Sequence, residues 1–333
     1  MNSITIERFK HHHNNDVRTL TLSKRFTVIE AVAFKNVFKS ICESGLCPNT
    51  IILDFKQTQF IDSSGIGALS HTIKVSRSYN INLVAAGISA QVLAVLRMTG
   101  LDQLLHIETK TRSHFAKFKN NIYNKSTLPV THPSIKSKLK RSVDIVGSIC
   151  GLLITSALFI PIAIAIKMDS PGPLFFSQTR RGWMGQEFRL WKFRSMIMDA
   201  ESQKHKVKNQ AEGAIFKNSN DFRITPIGSF LRKTSLDEFP QFWNVLIGNM
   251  SLVGTRPPTL DEVEKYEIPQ WRRLDVKPGI TGEWQVNGRS SVKDFNDIIK
   301  LDLKYQNNWS HYYDIKLILK TILVIFSKHN GAM

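Results

Sequence analysis

Two neighbouring carboxylates, Asp237 and Glu238, lie within KTSLDEFPQFWNVLIGNMSLVGTRPP (233–258), with Arg232 and Lys233 before them and Arg256 after. Phe239, Phe242, Trp243, Val245, Leu246 and Ile247 follow at once, so the acids stand beside an apolar surface with cations at hand to hold an anion. Ser235 to Glu238 also has the spacing of a capping box, in which the serine caps a helix and the glutamate reaches back to it. Pro240 bears on that reading. With Ser235 as the cap, the proline falls about one turn in and leaves the Leu236 carbonyl unpaired, whereas a helix starting at Asp237 tolerates it. An aspartate at that start is ionised by the helix dipole yet incompletely capped, a state suited to a nucleophile. Adjacent helical positions point about 100° apart, so the two acids cannot act as a symmetric pair. One attacks, and the other binds a metal or a proton.

The flanking stretches must position this pair. Upstream, FRLWKFRSM (188–196) alternates apolar and basic residues like an edge strand, setting Arg189, Lys192 and Arg194 along a surface. DSPGPLFFSQTRRG (169–182) is turn-rich and basic, and residues 199–213 are polar, a loop or an exposed helix. Downstream, KPGITGEWQVNGRSS (277–291) gathers Gly279, Gly282 and Gly288 around Lys277 and Arg289, where glycine lets backbone N–H groups approach a phosphate. The segment 312–328 puts Ile315, Ile318, Leu319, Ile322, Leu323 and Phe326 on one helical face, which suits either the core or a bilayer interface.

Ile145 to Ile166 is the one long apolar stretch, and its roughly 22 residues suffice to cross a bilayer. Lys136, Lys138, Lys140 and Arg141 precede it, and Lys167, Arg180 and Arg181 follow, so basic residues flank both ends. Positive charge favours the cytoplasm on each flank, which a helix that enters one leaflet, breaks near Pro161 and returns would satisfy. A spanning helix and a buried soluble helix are the other two readings.

The N-terminal third is built differently. Residues 1–8 and 17–22 alternate in strand fashion around the HHHNND turn and read as a hairpin, in which His11 to His13 form a solvated loop. A helical pattern at 28–42, the apolar run IILDF (51–55), a strand-to-helix passage at 60–69, INLVAAG (81–87) and a helical pattern at 89–98 describe a small α/β domain. Residues 108–138 fill with Lys, Asn, Ser, Thr and Pro and read as a basic linker. Lys plus Arg number 45 against 27 Asp plus Glu, a net charge of +18 over 333 residues, which points to phosphorylated substrates, an anionic membrane surface or nucleic acid. No nucleic-acid-binding motif accompanies the charge, so nucleic acid is set aside. Cys42, Cys47 and Cys150 have neither metal spacing nor even pairing, as in a reducing compartment, and the first thirty residues lack the apolar core of a signal peptide.

FIDSSGIGAL (60–69), with its strand-then-helix repeats, resembles the STAS domains of anti-sigma factor antagonists and sulfate-transporter tails, over residues 51–107. The resemblance implies Ser63 as a regulatory phosphorylation candidate for a partner kinase. The plainer reading is that Asp62, Ser63 and Ser64 cap a helix. A sulfate transporter is excluded, since one apolar segment stands where many are needed.

Residues 139–327 resemble the monotopic phosphoglycosyl transferases, through Lys140-Arg141 with Asp144, DSPGPLFFSQ, WKFRSM, DFRITPIGSFLRKTSLDEFPQFWNVLIGNMSLVGTRP and PGITGEWQVNGR in order. The resemblance implies transfer of a sugar 1-phosphate from a UDP-sugar to undecaprenyl phosphate, with release of UMP, a magnesium cofactor and a site at the cytoplasmic face of the bacterial inner membrane. It implies Asp237 as the nucleophile of a covalent intermediate and Glu238 as its partner through the metal. Lys192, Arg194, Arg232, Arg256, Pro257, Gln285 and Arg289 are implied as substrate-binding residues. Two positions depart from the family pattern: Ser156-Ala157 where Ser-Pro is usual, which shifts the expected helix break to Pro161, and Thr255 where GPRP becomes GTRP.

The expected architecture is therefore α/β in both halves: a STAS-type domain at 1–110, a basic linker at 111–138, and a membrane-associated transferase domain at 139–333. The last carries a re-entrant membrane helix at 140–167 and interfacial amphipathic helices. Partners beyond donor, acceptor and membrane are a STAS-bound protein or kinase and a second copy of the chain. The rival reading is a membrane-tethered STAS scaffold with an inactive transferase half, against which the intact acid pair and its arginines speak.

Overall fold

The computed structural model describes residues 5–9, 17–44, 47–108, 128–218, 220–287, 292 and 294–326, with backbone alone at 5–9 and 325–326. The histidine turn, residues 111–127 of the linker and Arg289 lie outside the described residues. Two compact units divide the chain: Met1–Thr131 with Met184–Gln186 and Glu267–Asp275, and His132–Trp183 with Glu187–Tyr266 and Val276–Met333.

In the first unit, strands β1 (Thr5–Phe9), β2 (Val17–Thr21), β4 (Thr50–Asp54), β6 (Asn82–Ala86) and β7 (His106–Ile107) form one sheet in that order, while β3 (Arg25–Phe26) and β5 (Phe60–Ile61) pair separately. The expected hairpin pairs β1 with β2 antiparallel, and the other sheet neighbours are parallel. Parallel neighbours require crossovers, which the helices α1 (Val28–Glu43), α2 (Ser63–Ser78) and α3 (Ala90–Thr99) supply. In α1, Ala31, Phe34, Phe38 and Ile41 recur at helical spacing and are buried, and the Glu30 carboxylate accepts from Thr27 N and Oγ1 to close its first turn. Asp62 caps α2 by accepting from Gly65 N at 2.9 Å. Ser63 does not cap: it is fully buried and engaged elsewhere within this unit.

The second unit begins with the short α4 (Pro133–Lys136) and then α5 (Lys138–Asp169), one continuous helix of 32 residues. The break expected at Pro161 is absent. Proline forfeits only its bond to the Ala157 carbonyl, and the helix continues through that gap. One turn earlier Thr155 Oγ1 and Ser156 Oγ donate back to the carbonyls of Gly151 and Leu152, hydroxyl bonds that a helix also absorbs. Val146, Ile149, Leu153, Ile154, Ile160 and Ile164 leave one face of α5 exposed and apolar.

The opposite face of α5 contacts its own unit at intervals along its length. Arg141 donates to the carbonyls of Val245 and Leu246, and Asp144 accepts from Ser251 Oγ and Leu252 N. A Cβ on Gly147 would lie 2.5 Å from Leu252, and one on Gly151 2.5 Å from the Phe242 ring, so these two glycines let the backbone close on its neighbours. Further on, Ile162 and Ile166 join Phe193 and Leu231 in a buried cluster. The helix is long and apolar enough to cross a bilayer, and its contacts with its own unit recur from Lys140 to Ile166.

The remaining elements are the antiparallel hairpin β8 (Phe175–Arg181) and β9 (Glu187–Phe193), α6 (Pro226–Lys233), a single 3-10 turn at Leu236–Glu238 and α7 (Gln241–Leu246). After these come β10 (Ser251–Val253), α8 (Leu260–Glu264), β11 (Gly279–Thr281) in parallel with β10, α9 (Glu283–Asn287), α10 (Phe295–Asn307) and α11 (His311–Phe326). Along α11, Leu317 is buried, while Tyr312, Ile315, Leu319, Ile322 and Leu323 are exposed. Its start is fixed by a buried polar knot: Lys140 Nζ donates to Asp314 Oδ2 at 2.7 Å and to the Val253 carbonyl at 3.0 Å, and Tyr305 OH and Trp309 Nε1 donate to the same carboxylate.

Candidate active site

The acid pair sits on the 3-10 turn and not in an α-helix. Ser235 adopts a left-handed conformation (φ 59°) and makes no side-chain cap, so the capping box does not form, and α7 starts only after Pro240. The physical reason is local: a left-handed residue and a proline five positions later leave room for one tight turn between them. Leu236 and Phe239, on either side of the pair, pack into the cluster built by Ile162, Ile166, Phe193 and Leu231. The apolar residues flanking the acids thus hold the turn against the C-terminal half of α5.

Asn244, fully buried on α7, ties the turn to the hairpin: its Oδ1 accepts from Trp191 N and its Nδ2 donates to the Arg189 carbonyl. That bracket brings Lys192 on β9 to the acids. Lys192 Nζ donates to Glu238 Oε1 at 2.7 Å and lies 3.9 Å from Asp237 Oδ2, so a single ammonium meets both carboxylates. Asp237 is 5% exposed. Arg232 faces it from α6: burial holds this guanidinium below the usual arginine range and the Asp237 charge works against that, while Arg232 Nε donates to Ser195 Oγ at 2.9 Å.

Beside the pair opens a cavity of about 220 Å³ whose wall carries Arg180, Lys192, Lys217 and Arg256 against one lining carboxylate, Glu238. Such a wall attracts an anion. Arg256 is oriented by a bidentate pair to Glu262, at 2.8 and 3.0 Å. Burial would raise the Glu262 carboxyl, but the Arg256 charge and its two hydrogen bonds prevail and hold it down at about 2. Arg180 is pushed down to about 10 by burial and by the neighbouring Arg256 charge. Its Nη1 donates to the Pro257 carbonyl, and its buried Nε has no hydrogen-bond partner among the described residues.

Of the residues singled out in the sequence, Lys192, Glu238, Arg256, Pro257 and Gln285 line this cavity; Asp237 and Arg232 do not, Asp237 lying 3.9 Å from the lining Lys192 and its charge acting on Arg232. Arg194 stands apart. Its guanidinium donates to the carbonyls of Ser170 and Pro171, closing the turn that follows α5. Arg180, Lys217, Phe216, Gln241 and Trp284 belong to the wall and were not singled out as site residues. The signal for Arg180 lay in the basic end of SQTRRG, where it could be taken only for a flanking charge. Trp284 and Gln285 add buried polar atoms, Nε1 and Oε1, that lack partners among the described residues.

Fold and site together define a protein of two modules: a small α/β module on a mostly parallel sheet, and a unit that sets an acid pair and a cationic cavity beside a long, half-exposed apolar helix. The chain belongs to the bacterial sugar transferase family, whose sequence profile matches residues 135–328, and residues 7–115 match the STAS domain. It is similar to the galactosyl transferase CpsE of Streptococcus agalactiae serotype III (strain NEM316), with 55% identity over 188 residues, 56% of this chain and 42% of that protein. It is similar to the UDP-glucose:undecaprenyl-phosphate glucose-1-phosphate transferase of Escherichia coli (strain K12), with 43% identity over 192 residues, 55% of this chain and 39% of that one. The exopolysaccharide production protein ExoY of Rhizobium meliloti (strain 1021) is 37% identical over 189 residues, 55% of this chain and 83% of ExoY. The chain thus spans about two fifths of the length of the first two relatives.

Proposed function

We propose that this chain transfers a sugar 1-phosphate from a UDP-sugar to undecaprenyl phosphate and so begins assembly of a surface polysaccharide. The observation that carries the reading is the buried Asp237 next to Glu238, bridged by Lys192 at the edge of a cavity walled by Arg180, Lys217 and Arg256. A diphosphate entering there meets cations on several sides. An Asp237 oxygen attacks the phosphorus that bears the sugar, the bond to the uridine-side phosphate breaks, and UMP leaves with that electron pair. Lys192, released from Glu238 onto the incoming phosphates, uncovers the nucleophile. The phosphate of undecaprenyl phosphate then attacks the acyl phosphate and restores the Asp237 carboxylate. Donor and acceptor use one site in turn, which suits a soluble and a lipid substrate.

Magnesium fits this donor set. Among the described residues no group of three or more acidic, histidine or cysteine side chains gathers, and an ion that takes one or two carboxylates plus phosphate oxygens needs none. Glu238, with Asp237, would hold it, and when bound it neutralises charge on the phosphates.

The exposed apolar faces of α5 and α11 support a seat in a membrane surface, and the recurring contacts of α5 with its own unit support a helix held in one leaflet. The basic flanks of α5 favour the cytoplasmic face.

The test is UMP release by detergent-solubilised protein with undecaprenyl phosphate and magnesium, supplied with UDP-glucose or UDP-galactose, the sugars in the relatives' names. Release that needs both acceptor and one particular donor is expected. Hydrolysis of every donor at the same rate, with no dependence on acceptor, would contradict the proposal.

A further inference from the structure

Glu267–Asp275 belongs to the first compact unit, although the residues on either side of it belong to the second. It is held there by contacts on two turns of α2. Asp275 Oδ1 accepts from Ser63 N at 3.1 Å and from Ser63 Oγ, and the Asp275 carbonyl accepts from Thr131 Oγ1. One turn further along, Gly67 lets the Trp271 ring rest on the helix backbone: a Cβ there would lie 2.5 Å from the ring. Gly185, from the other inserted stretch, approaches the same ring, its Cβ position 3.1 Å away. Ser63 is fully buried, and Trp271 is 7% exposed.

We infer that Glu267–Asp275 is a built-in ligand of the first turns of α2, latched by the Asp62–Ser63–Asp275 cluster, and that the latch can open. Its hold includes the Asp275 carboxyl on Ser63 and the Trp271 ring on Gly67, and the Asp62 and Asp275 carboxyls lie close enough in a buried setting for one charge to act on the other. Burial, opposed by the Gly65 and Ser64 N–H groups, pushes Asp62 up to about 6. Burial and then the Asp62 charge push Asp275 up to about 7. Arg272, on the segment itself, favours the ionised forms, and Glu30 on α1 opposes ionisation of Asp62.

A carboxyl raised above its unfolded value contributes stability that is fully present below the unfolded pKa and is lost as pH rises through the folded one. The latch is therefore tightest with the pair protonated and loosens between about pH 4 and about pH 7. A protonated Asp275 still accepts through Oδ1, so the docked geometry survives protonation. A phosphate on Ser63 would need the position that Asp275 occupies, so docking and modification of Ser63 exclude each other. Four residues beyond Asp275 the chain reaches Gly279 and Ile280 of the cavity wall.

Hydrogen exchange with mass spectrometry on the full chain in detergent, at about pH 5.5 and about pH 8 and corrected for intrinsic rates, tests the latch. Protection of 268–275 and 63–67 should fall by about tenfold or more at the higher pH in the wild type, and much less in Asp275→Asn, whose amide accepts the same bonds without titrating. Gly67→Leu should strip protection from 268–275 at both pH values while β4 and β6 stay protected. If those strands lose protection as well, the Asp275→Asn comparison decides alone. Wild-type protection that does not respond to pH, an equal response in Asp275→Asn, or a Gly67→Leu chain with 268–275 still protected would overturn the latch.

Discussion

Replacing Asp237 by asparagine should lower turnover by at least about 10³-fold while leaving the fold intact. The amide keeps the size of the carboxyl and removes its nucleophilicity. Lys192 has its shorter contact with Glu238, at 2.7 Å against 3.9 Å to Asp237, so the bracket between β9 and the 3-10 turn does not depend on the Asp237 charge. Leu236 and Phe239 fix the turn by packing, which the substitution does not touch. UMP release measured beside a thermal melt checks this: a melt like the wild type's with activity gone is the expected pair. An Asp237→Asn enzyme working at a tenth of the wild-type rate or better would mean that the nucleophile is another residue.

The second large effect falls on stability. Asp314→Ala should cost about 3–5 kcal/mol, because it leaves the Lys140 ammonium buried without its counter-charge. Trp309 Nε1 loses its acceptor at the same time, and Tyr305 OH is left with the Val253 carbonyl at 3.2 Å. In a unit of this size such a loss lowers the melting temperature by roughly 10 °C. Lys140→Met combined with Asp314→Leu should recover most of it, since a buried ion pair replaced by apolar side chains is close to neutral. The knot joins the first turn of α5 to the first turn of α11, so the single variant should also loosen both apolar helices from their unit. An Asp314→Ala melt within about 2 °C of the wild type's would mean that the knot does not hold these helices.

What could be read from the sequence follows the range of the interactions involved. The acid pair, Lys192 and Arg256 were legible because residue type and order within a short stretch announce them, and the strands and helices of the first unit because burial of one face repeats along each. The setting of the pair was less so: Pro240 was visible, but the left-handed Ser235 that confines the acids to a single 3-10 turn was not. Pro161 suggested a broken helix, yet losing one hydrogen bond is a small matter beside packing that recurs from Lys140 to Ile166. Arg194 carried the same charge as its neighbours in FRLWKFRSM, and only folding shows it closing the turn after α5. Asp275 and Ser63 are 212 residues apart, and no local pattern links them.

The central claim is a covalent sugar-phosphate on Asp237. Intact-protein mass measured after incubation with the active UDP-sugar and magnesium, without acceptor, tests it most directly. A mass increase of one sugar phosphate is expected, mapped to the peptide holding Asp237, absent in Asp237→Asn and discharged by undecaprenyl phosphate. Full turnover with both substrates but no adduct on that peptide under any single-substrate condition would contradict it, and would point to direct transfer from donor to lipid.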